Sequence, residues 1–249
     1  MDEEDNKPKY EKNIYMAILA QQCKRYEEMF KYMEDLFIQR GKDFSQKERE
    51  LLTYGYISFI QSKRKSLHMV MAYETKEKKN EKSQFLSYIR DYRKNLESEL
   101  TLSCQKIILI LDSLLIKKAE TNEAKIYYKK LKGDFNRYIA EYAKDELREK
   151  VLKDGLQAYQ EAINLSKDMN IMNELILGLI LNFSLFYFEV INERKNAIKL
   201  AEDCIKRVNK ELENFDESDA KNQIIMSLIN LIKENLENWK VEEDDQNKY

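Results

Sequence analysis

Two short stretches of this chain carry side chains that could do chemistry. In Lys132-Gly133-Asp134-Phe135-Asn136-Arg137-Tyr138-Ile139-Ala140-Glu141 a guanidinium and a phenol stand side by side in helix-forming sequence. Lys130 lies seven residues before Arg137, two turns along the same helical face. Upstream, Ile57, Gln61, Arg64 and His68 recur at spacings of four, three and four, so they share a stripe of a second helix. If the two stripes face each other, Arg64, Arg137, Lys130 and Tyr138 converge. Guanidiniums bind a phosphate in bidentate geometry and match its double negative charge, and a tyrosine hydroxyl adds a donor without adding charge. The same residues also read as solvated charges on amphipathic helices, and spacing alone does not choose between the two.

The second stretch, Leu181-Asn182-Phe183-Ser184-Leu185-Phe186-Tyr187-Phe188-Glu189, sets an amide and a carboxylate in an apolar helix. Asn182 and Glu189 are seven apart, and Leu181 and Leu185 are four apart on an adjoining stripe. An amide offers both donor and acceptor, which suits gripping an extended peptide backbone, while the leucines could form an apolar wall. A polar pair facing solvent beside core leucines is the competing reading. Asn235 is a second candidate amide, and Trp239, one turn later, is either a groove residue or a core anchor. Catalysis finds no constellation: there is no phosphate-binding Gly-rich loop, no nucleophile elbow and no cysteine spacing suited to zinc. His68 is the only histidine, so a di-iron bundle is excluded as well. The expectation is no enzyme, no metal and no cofactor.

The elements that must position these residues are helical. The chain of 249 residues has five glycines and one proline, and Pro8 sits in a charged N-terminal stretch. Scarcity of the two turn-forming residues, with apolar residues at three- and four-residue spacing, predicts an all-α protein of nine antiparallel helices. Gly41 is a plausible C-cap, and Ser45-Gln46-Lys47-Glu48 has the form of a capping box opening a long helix to about Thr75. Lys76 to Lys82 reads as a loop, and a second long helix runs from Phe85 through Leu115. Further helices fit 121–143, 145–169, 173–191, 194–213 and 219–240. No linker divides the chain, so residues 10–240 are expected to form a single domain between a flexible acidic N-terminal extension, 1–9, and a disordered acidic tail, 241–249. Forty-three basic against 45 acidic residues leave a net charge of −2, which gives no general pull toward nucleic acid or anionic lipid. Three scattered cysteines suit a reducing, cytoplasmic compartment. The most apolar run, Leu175 to Ile191, is shorter than the ~20 residues a bilayer requires and contains Asn182, Ser184 and Glu189, so no membrane insertion is expected.

Several collinear motifs resemble one family. Leu19-Ala20-Gln21-Gln22-Cys23-Lys24-Arg25-Tyr26-Glu27-Glu28-Met29 is similar to the first-to-second helix segment of the 14-3-3 family, and Arg49-Glu50-Leu51-Leu52-Thr53-Tyr54-Gly55-Tyr56 to its first signature. Lys132 to Tyr138, Ala158-Tyr159-Gln160-Glu161-Ala162 and Leu181-Asn182-Phe183-Ser184 come after them in the right order. The resemblance implies a cup-shaped, solenoid-like fold with a central amphipathic groove, acting as a homodimeric adaptor for phosphorylated client proteins. Arg64, Arg137 and Tyr138 match phosphate-binding positions. Lys130, Leu181, Asn182, Leu185, Glu189, Leu231, Asn235 and Trp239 match other groove positions. Leu19, Cys23, Arg25, Tyr26, Glu28, Val70, Tyr92, Asn95 and Glu99 match the dimer seam, with Arg25 and Glu99 corresponding to an ion pair between subunits.

The chain also departs from that pattern. The family's phosphate lysine corresponds to Ile57, and a groove arginine to His68. Loss of a charge-assisted hydrogen bond implies weakened or altered phosphopeptide affinity. The rival reading is a diverged helical scaffold for unphosphorylated or acidic partners. At the dimer seam Glu28 would meet Asn95 in place of a lysine. In the last helix about three extra residues separate Ile224-Ile225-Met226 from Asn235-Leu236-Glu237-Asn238-Trp239, which leaves open the register of Leu228, Leu231 and Asn235.

Overall fold

The computed structural model describes residues 3–39, 43–80, 83–215, 219 and 222–246. Nine helices and no strands are present among them, as the periodicity predicts. The chain divides into two compact units, one up to Glu120 and one from Thr121.

The first unit holds α1 (Glu3–Gln22), α2 (Tyr26–Gln39), α3 (Gln46–Glu77) and α4 (Leu86–Ile110). The last of these continues through a π turn, Leu111–Leu115, into a final turn, Ile116–Lys118. Helical backbone thus begins at Glu3, inside the stretch that the sequence reads as an extension. Lys24 makes the reversal between α1 and α2 with a left-handed φ of 56°. The capping box at Ser45 forms: Glu48 N–H donates to Ser45 Oγ and the Ser45 N–H donates to Glu48 Oε2 at 2.7 Å. The proposed cap at Gly41 lies outside the described residues. Apolar side chains at helical spacing make the core, with Met29, Met33 and Leu36 from α2 and Leu52, Tyr56, Ile60 and Leu67 from α3. Leu100, Cys104, Ile107 and Leu111 close it from α4.

One carboxylate joins the two long helices of this unit. Glu74, on α3 and 3% exposed, accepts from Arg93 Nη1 at 2.8 Å and Arg90 Nε at 3.2 Å, both on α4, while Lys78 Nζ lies 3.0 Å away. Those three cations, Arg93 foremost, hold its pKa down at about 2 against the opposing effect of burial.

The second unit holds α5 (Asn122–Ala140), α6 (Asp145–Leu165) and α7 (Glu174–Leu185), which runs on through a π turn, Phe186–Val190. Next come α8 (Arg194–Glu211), ending in a 3₁₀ turn Leu212–Asn214, and α9 (Gln223–Gln246). Helical backbone in α9 therefore extends into the segment read as a tail. Thr121 caps α5 by accepting from Ala124 N–H at 3.1 Å, and Asn173 caps α7 by accepting from Leu175 N–H at 2.9 Å. Arg148 ties three helices together. Its guanidinium donates to the carbonyl of Ala140 at the end of α5 and, at 2.9 Å, to that of Val190 in the π turn after α7. A cation on C-terminal carbonyls also complements the helix dipoles.

The register of the last helix is fixed within its unit. Ile229, Ile232, Leu236 and Trp239 are buried at spacings of three, four and three. Leu228, Leu231 and Asn235 therefore fall on the flanking, partly open side, with Leu231 47% exposed.

The depressed pKa of Glu74 sets a pH window. The folded state holds this proton more weakly than the unfolded chain, so the stabilisation is fully present above the unfolded carboxyl pKa and is lost as pH falls toward about 2. Glu74→Gln is expected to lower stability at pH 7 by ~1–2 kcal/mol, discounted for the half-exposed Lys78 and Arg90. Urea denaturation at a series of pH values checks this. The difference from wild type should persist at pH 5 and shrink steadily between pH 4.5 and pH 2.5.

Candidate functional site

In the second unit two candidate groove residues, Lys130 and Asn182, meet on a side chain to which the motifs assign no role. Asp134, on α5, is 2% exposed. Its Oδ2 accepts from Lys130 Nζ at 2.9 Å, one turn earlier on the same helix. Its Oδ1 accepts from the Tyr159 hydroxyl of α6 at 2.6 Å and from Asn182 Nδ2 of α7 at 2.7 Å. Three donors from three helices satisfy a carboxylate that would otherwise be very costly to bury. Burial, and next the Asp134 carboxylate, push the Tyr159 pKa well above its ordinary value, so the phenol stays a donor.

Gly133 makes this cluster possible. A Cβ built there would lie 2.6 Å from the Tyr159 ring, closer than carbon atoms tolerate. The missing side chain lets the ring lie flat against α5 and deliver its hydroxyl to the neighbouring Asp134. On its other side the ring stacks on Phe183 with centroids 5.1 Å apart and tilts against Phe186 at 5.4 Å. Glycine is an unfavourable residue in a helix interior, so its presence here marks a close approach. That glycine, and the Lys130–Asp134 spacing of four, are the signals from which Asp134 and Tyr159 could have been found.

Arg137 lies one turn beyond Gly133. Its side chain is 12% exposed, its Nη1 stands 3.5 Å from Glu141, and its guanidinium lies over the Tyr138 ring at 4.7 Å. Among the described residues its buried Nε has no hydrogen-bond partner. Burial works to lower its pKa, but the surrounding negative groups, Asp134 and Glu141 among them, raise it above the ordinary arginine value. The group is a permanent cation, sunk in the protein with donor capacity to spare. Tyr138 is 4% exposed, and its ring meets Phe135 edge-on at 6.0 Å.

On α7, Leu181, Asn182 and Leu185 are half-buried and Glu189 is exposed. The seven-residue spacing of Asn182 and Glu189 does not give one straight face. The Ile191 N–H bonds to the Phe186 carbonyl five residues back, at 3.1 Å, which defines a π turn. The wider turn takes up one residue and rotates the residues beyond it by about 100° relative to an uninterrupted α-helix. Trp239 is 5% exposed and stacks on Phe188 at 4.8 Å, packed as a core anchor, and Asn235 is half-buried.

In the first unit the stripe on α3 is formed as the spacing predicts. Ile57 is half-buried, and Arg64 Nη1 donates to Gln61 Oε1 at 3.1 Å. Gln61, Arg64, Lys65 and His68 line an open depression of about 820 Å³, whose other wall includes Tyr26 from α2. Ser58, Ser62, Met69 and Ala72 complete its lining.

The family model described as 14-3-3 protein matches residues 16–240. The chain belongs to the 14-3-3 family. It is 33% identical over 226 residues to 14-3-3 protein 2 of Entamoeba histolytica, covering 91% of this chain and 94% of that one. It is 37% identical over 231 residues to Protein BMH2 of Saccharomyces cerevisiae, covering 92% and 84%. It is 35% identical over 236 residues to 14-3-3-like protein G-BOX factor 14 lambda of Arabidopsis thaliana, covering 94% of both. The 14-3-3 proteins are non-enzymatic adaptors, which accords with the absence of any catalytic constellation in the sequence.

The residues matching the 14-3-3 dimer seam lie on α1 to α4, with Cys23 and Arg25 in the turn between α1 and α2. Leu19, Cys23, Arg25, Tyr92, Asn95 and Glu99 are exposed, and Tyr26, Glu28 and Val70 are half-buried. Within one chain Arg25 pairs with Glu28 on the next turn, which lowers the Glu28 pKa, and Glu99 pairs with Lys63 at 3.1 Å. Both charges expected to bridge 14-3-3 subunits thus have partners at home. Among the described residues no helix is long and apolar enough to cross a membrane.

Gly133→Ala should destabilise the protein by ~1–3 kcal/mol, since the added methyl displaces a ring wedged between α5 and Phe183. An exposed glycine-to-alanine change in a helix would do the opposite. Guanidinium denaturation measures the sign. A gain in stability would show that Tyr159 can retreat freely.

Proposed function

We propose that this 14-3-3 protein binds segments of client proteins that carry phosphoserine or phosphothreonine. The observation that carries the reading is Arg137, a largely buried cation whose guanidinium lies over the Tyr138 ring and whose ion pair to Glu141 is long at 3.5 Å. Such a group gains most from a dianion, because charge-assisted hydrogen bonds strengthen where water is excluded. Tyr138, in the same unit, supplies a neutral donor, and Arg64, in the first unit, is a second phosphate ligand on the family's pattern. Lys130 adds further positive charge. Asn182 and Asn235 grip the peptide backbone, and Leu181, Leu185 and Leu231 contact its side chains.

Ile57 and His68 tune this site downward. With an isoleucine where a phosphate lysine is expected, affinity for a generic phosphopeptide is reduced. The protein acts as a homodimer in the cytoplasm. Support for the dimer comes from the first unit, whose surface carries exposed Tyr15, Leu19, Tyr73, Phe85, Tyr88 and Tyr92. Two grooves in one assembly raise affinity for doubly phosphorylated clients through effective concentration. A scaffold for unphosphorylated or acidic partners is not favoured by the family.

Titration of a fluorescent phosphoserine peptide and its unphosphorylated twin tests the reading. The phosphorylated peptide should bind at least tenfold tighter. Arg137→Ala and Arg64→Ala should each weaken it by roughly ten- to a hundredfold, corresponding to ~1.5–3 kcal/mol per lost charged contact. Ile57→Lys should tighten it about tenfold. Equal affinity for both peptides would defeat the proposal. For assembly, sedimentation equilibrium at micromolar concentration should give a mass near twice 29.9 kDa.

A further inference from the structure

The groove amide Asn182 has a fixed polarity, and a carboxylate on another helix fixes it. A carboxylate only accepts hydrogen bonds, so the atom of Asn182 that sits 2.7 Å from Asp134 Oδ1 is its nitrogen. The amide carbonyl must then point the opposite way, away from Asp134. Asp134 cannot rotate to release it. The carboxylate is 2% exposed, shares Oδ1 with the Tyr159 hydroxyl and holds Lys130 on Oδ2. Tyr159 is itself clamped between Gly133 and Phe183.

We propose that Asp134 is the positioning residue of the groove: it presents Asn182 as a pre-oriented hydrogen-bond acceptor, so that this point reads a main-chain N–H of the bound segment. The inference rests on the peptide-binding reading above. An amide free to flip offers donor or acceptor to whatever arrives, and ordering it on binding opposes association. Held by Asp134, Asn182 offers Oδ1 at no such expense and favours a ligand whose backbone nitrogen carries a hydrogen at the matching position. A proline or an N-methylated residue there is rejected, whatever its side chain. Asp134 also draws the Lys130 ammonium back along α5, which leaves that cation as a neighbouring charge instead of a direct rival for the amide.

The test is an N-methyl scan. One phosphoserine peptide is made in a series, each member methylated at a single backbone nitrogen flanking the phosphoserine. Wild type should lose about tenfold or more at one position and less than threefold at its neighbours. In Asp134→Asn the carboxamide can donate as well as accept, the polarity of Asn182 is no longer dictated, and the sensitive position should fall to within threefold of the rest. Lys130→Gln, which leaves the Asp134–Asn182 bond intact, should bind more weakly but keep the wild-type profile. A merely structural role for Asp134 would lower affinity uniformly, so an unchanged profile in Asp134→Asn overturns the proposal.

Should Asp134→Asn fail to fold, wild type provides its own measurement. With asparagine selectively labelled with nitrogen-15, the side-chain amide of Asn182, assigned by its loss in Asn182→Ser, should exchange with solvent slowly without any peptide bound. Exchange as fast as that of surface asparagines would refute the locked amide. If wild type binds no phosphopeptide at all, the functional reading fails, and the exchange measurement still decides whether Asp134 holds Asn182.

Discussion

A single buried carboxylate links three helices of the second unit. Asp134 draws an ammonium, a phenol and an amide from α5, α6 and α7 onto two oxygen atoms, at 2.6 to 2.9 Å. An ionised carboxylate cannot be taken out of water alone, so each partner is held as firmly as the charge itself. The consequence is that two candidate groove residues, Lys130 and Asn182, share one anchor with the core phenol of Tyr159. Removing any donor leaves the others with an underpaired anion, and removing the anion releases all of them. Gly133 is the geometric condition for the arrangement, because only a residue without a side chain admits the Tyr159 ring.

The first unit uses a related device for a different purpose. Glu74 gathers three cations and joins α3 to α4, but two of those partners are half-exposed and none of them is a candidate groove residue. It is a brace between helices. The contrast shows why a count of ion pairs says little about function. Arg137 differs from Glu74: it is a buried cation whose Nε has no hydrogen-bond partner among the described residues, whereas Glu74 is matched by three cations.

Much of the fold was legible in the chain. Scarce glycine and proline together with apolar residues three and four apart predict nine helices, and the capping box at Ser45 marks the start of α3 to the residue. The family was legible as well, from the type and order of the motif residues, and the comparisons bear that out. Three things were not. The π turn after α7 hides from any periodicity argument, since one wide turn shifts all later side chains without changing the residues present. The role of Trp239 was open, because an indole packs equally well as an anchor or as a platform, and its stacking on Phe188 exists only in three dimensions. The pairing of Asp134 with Tyr159 is hidden in the sequence because a carboxylate in a charged helix reads as solvated until its neighbours from other helices are known.

Local patterns in the chain were enough to say which segments are helical, where most of them begin and end, and which family their motifs belong to. These properties depend on residues within a few positions of one another, through backbone sterics, capping and the 3.6-residue period. Which polar side chains are buried, and who satisfies them, was settled only when the helices packed. Satisfying a buried charge requires groups far apart in the chain, 25 residues from Asp134 to Tyr159 and 48 to Asn182, and no local pattern encodes that meeting.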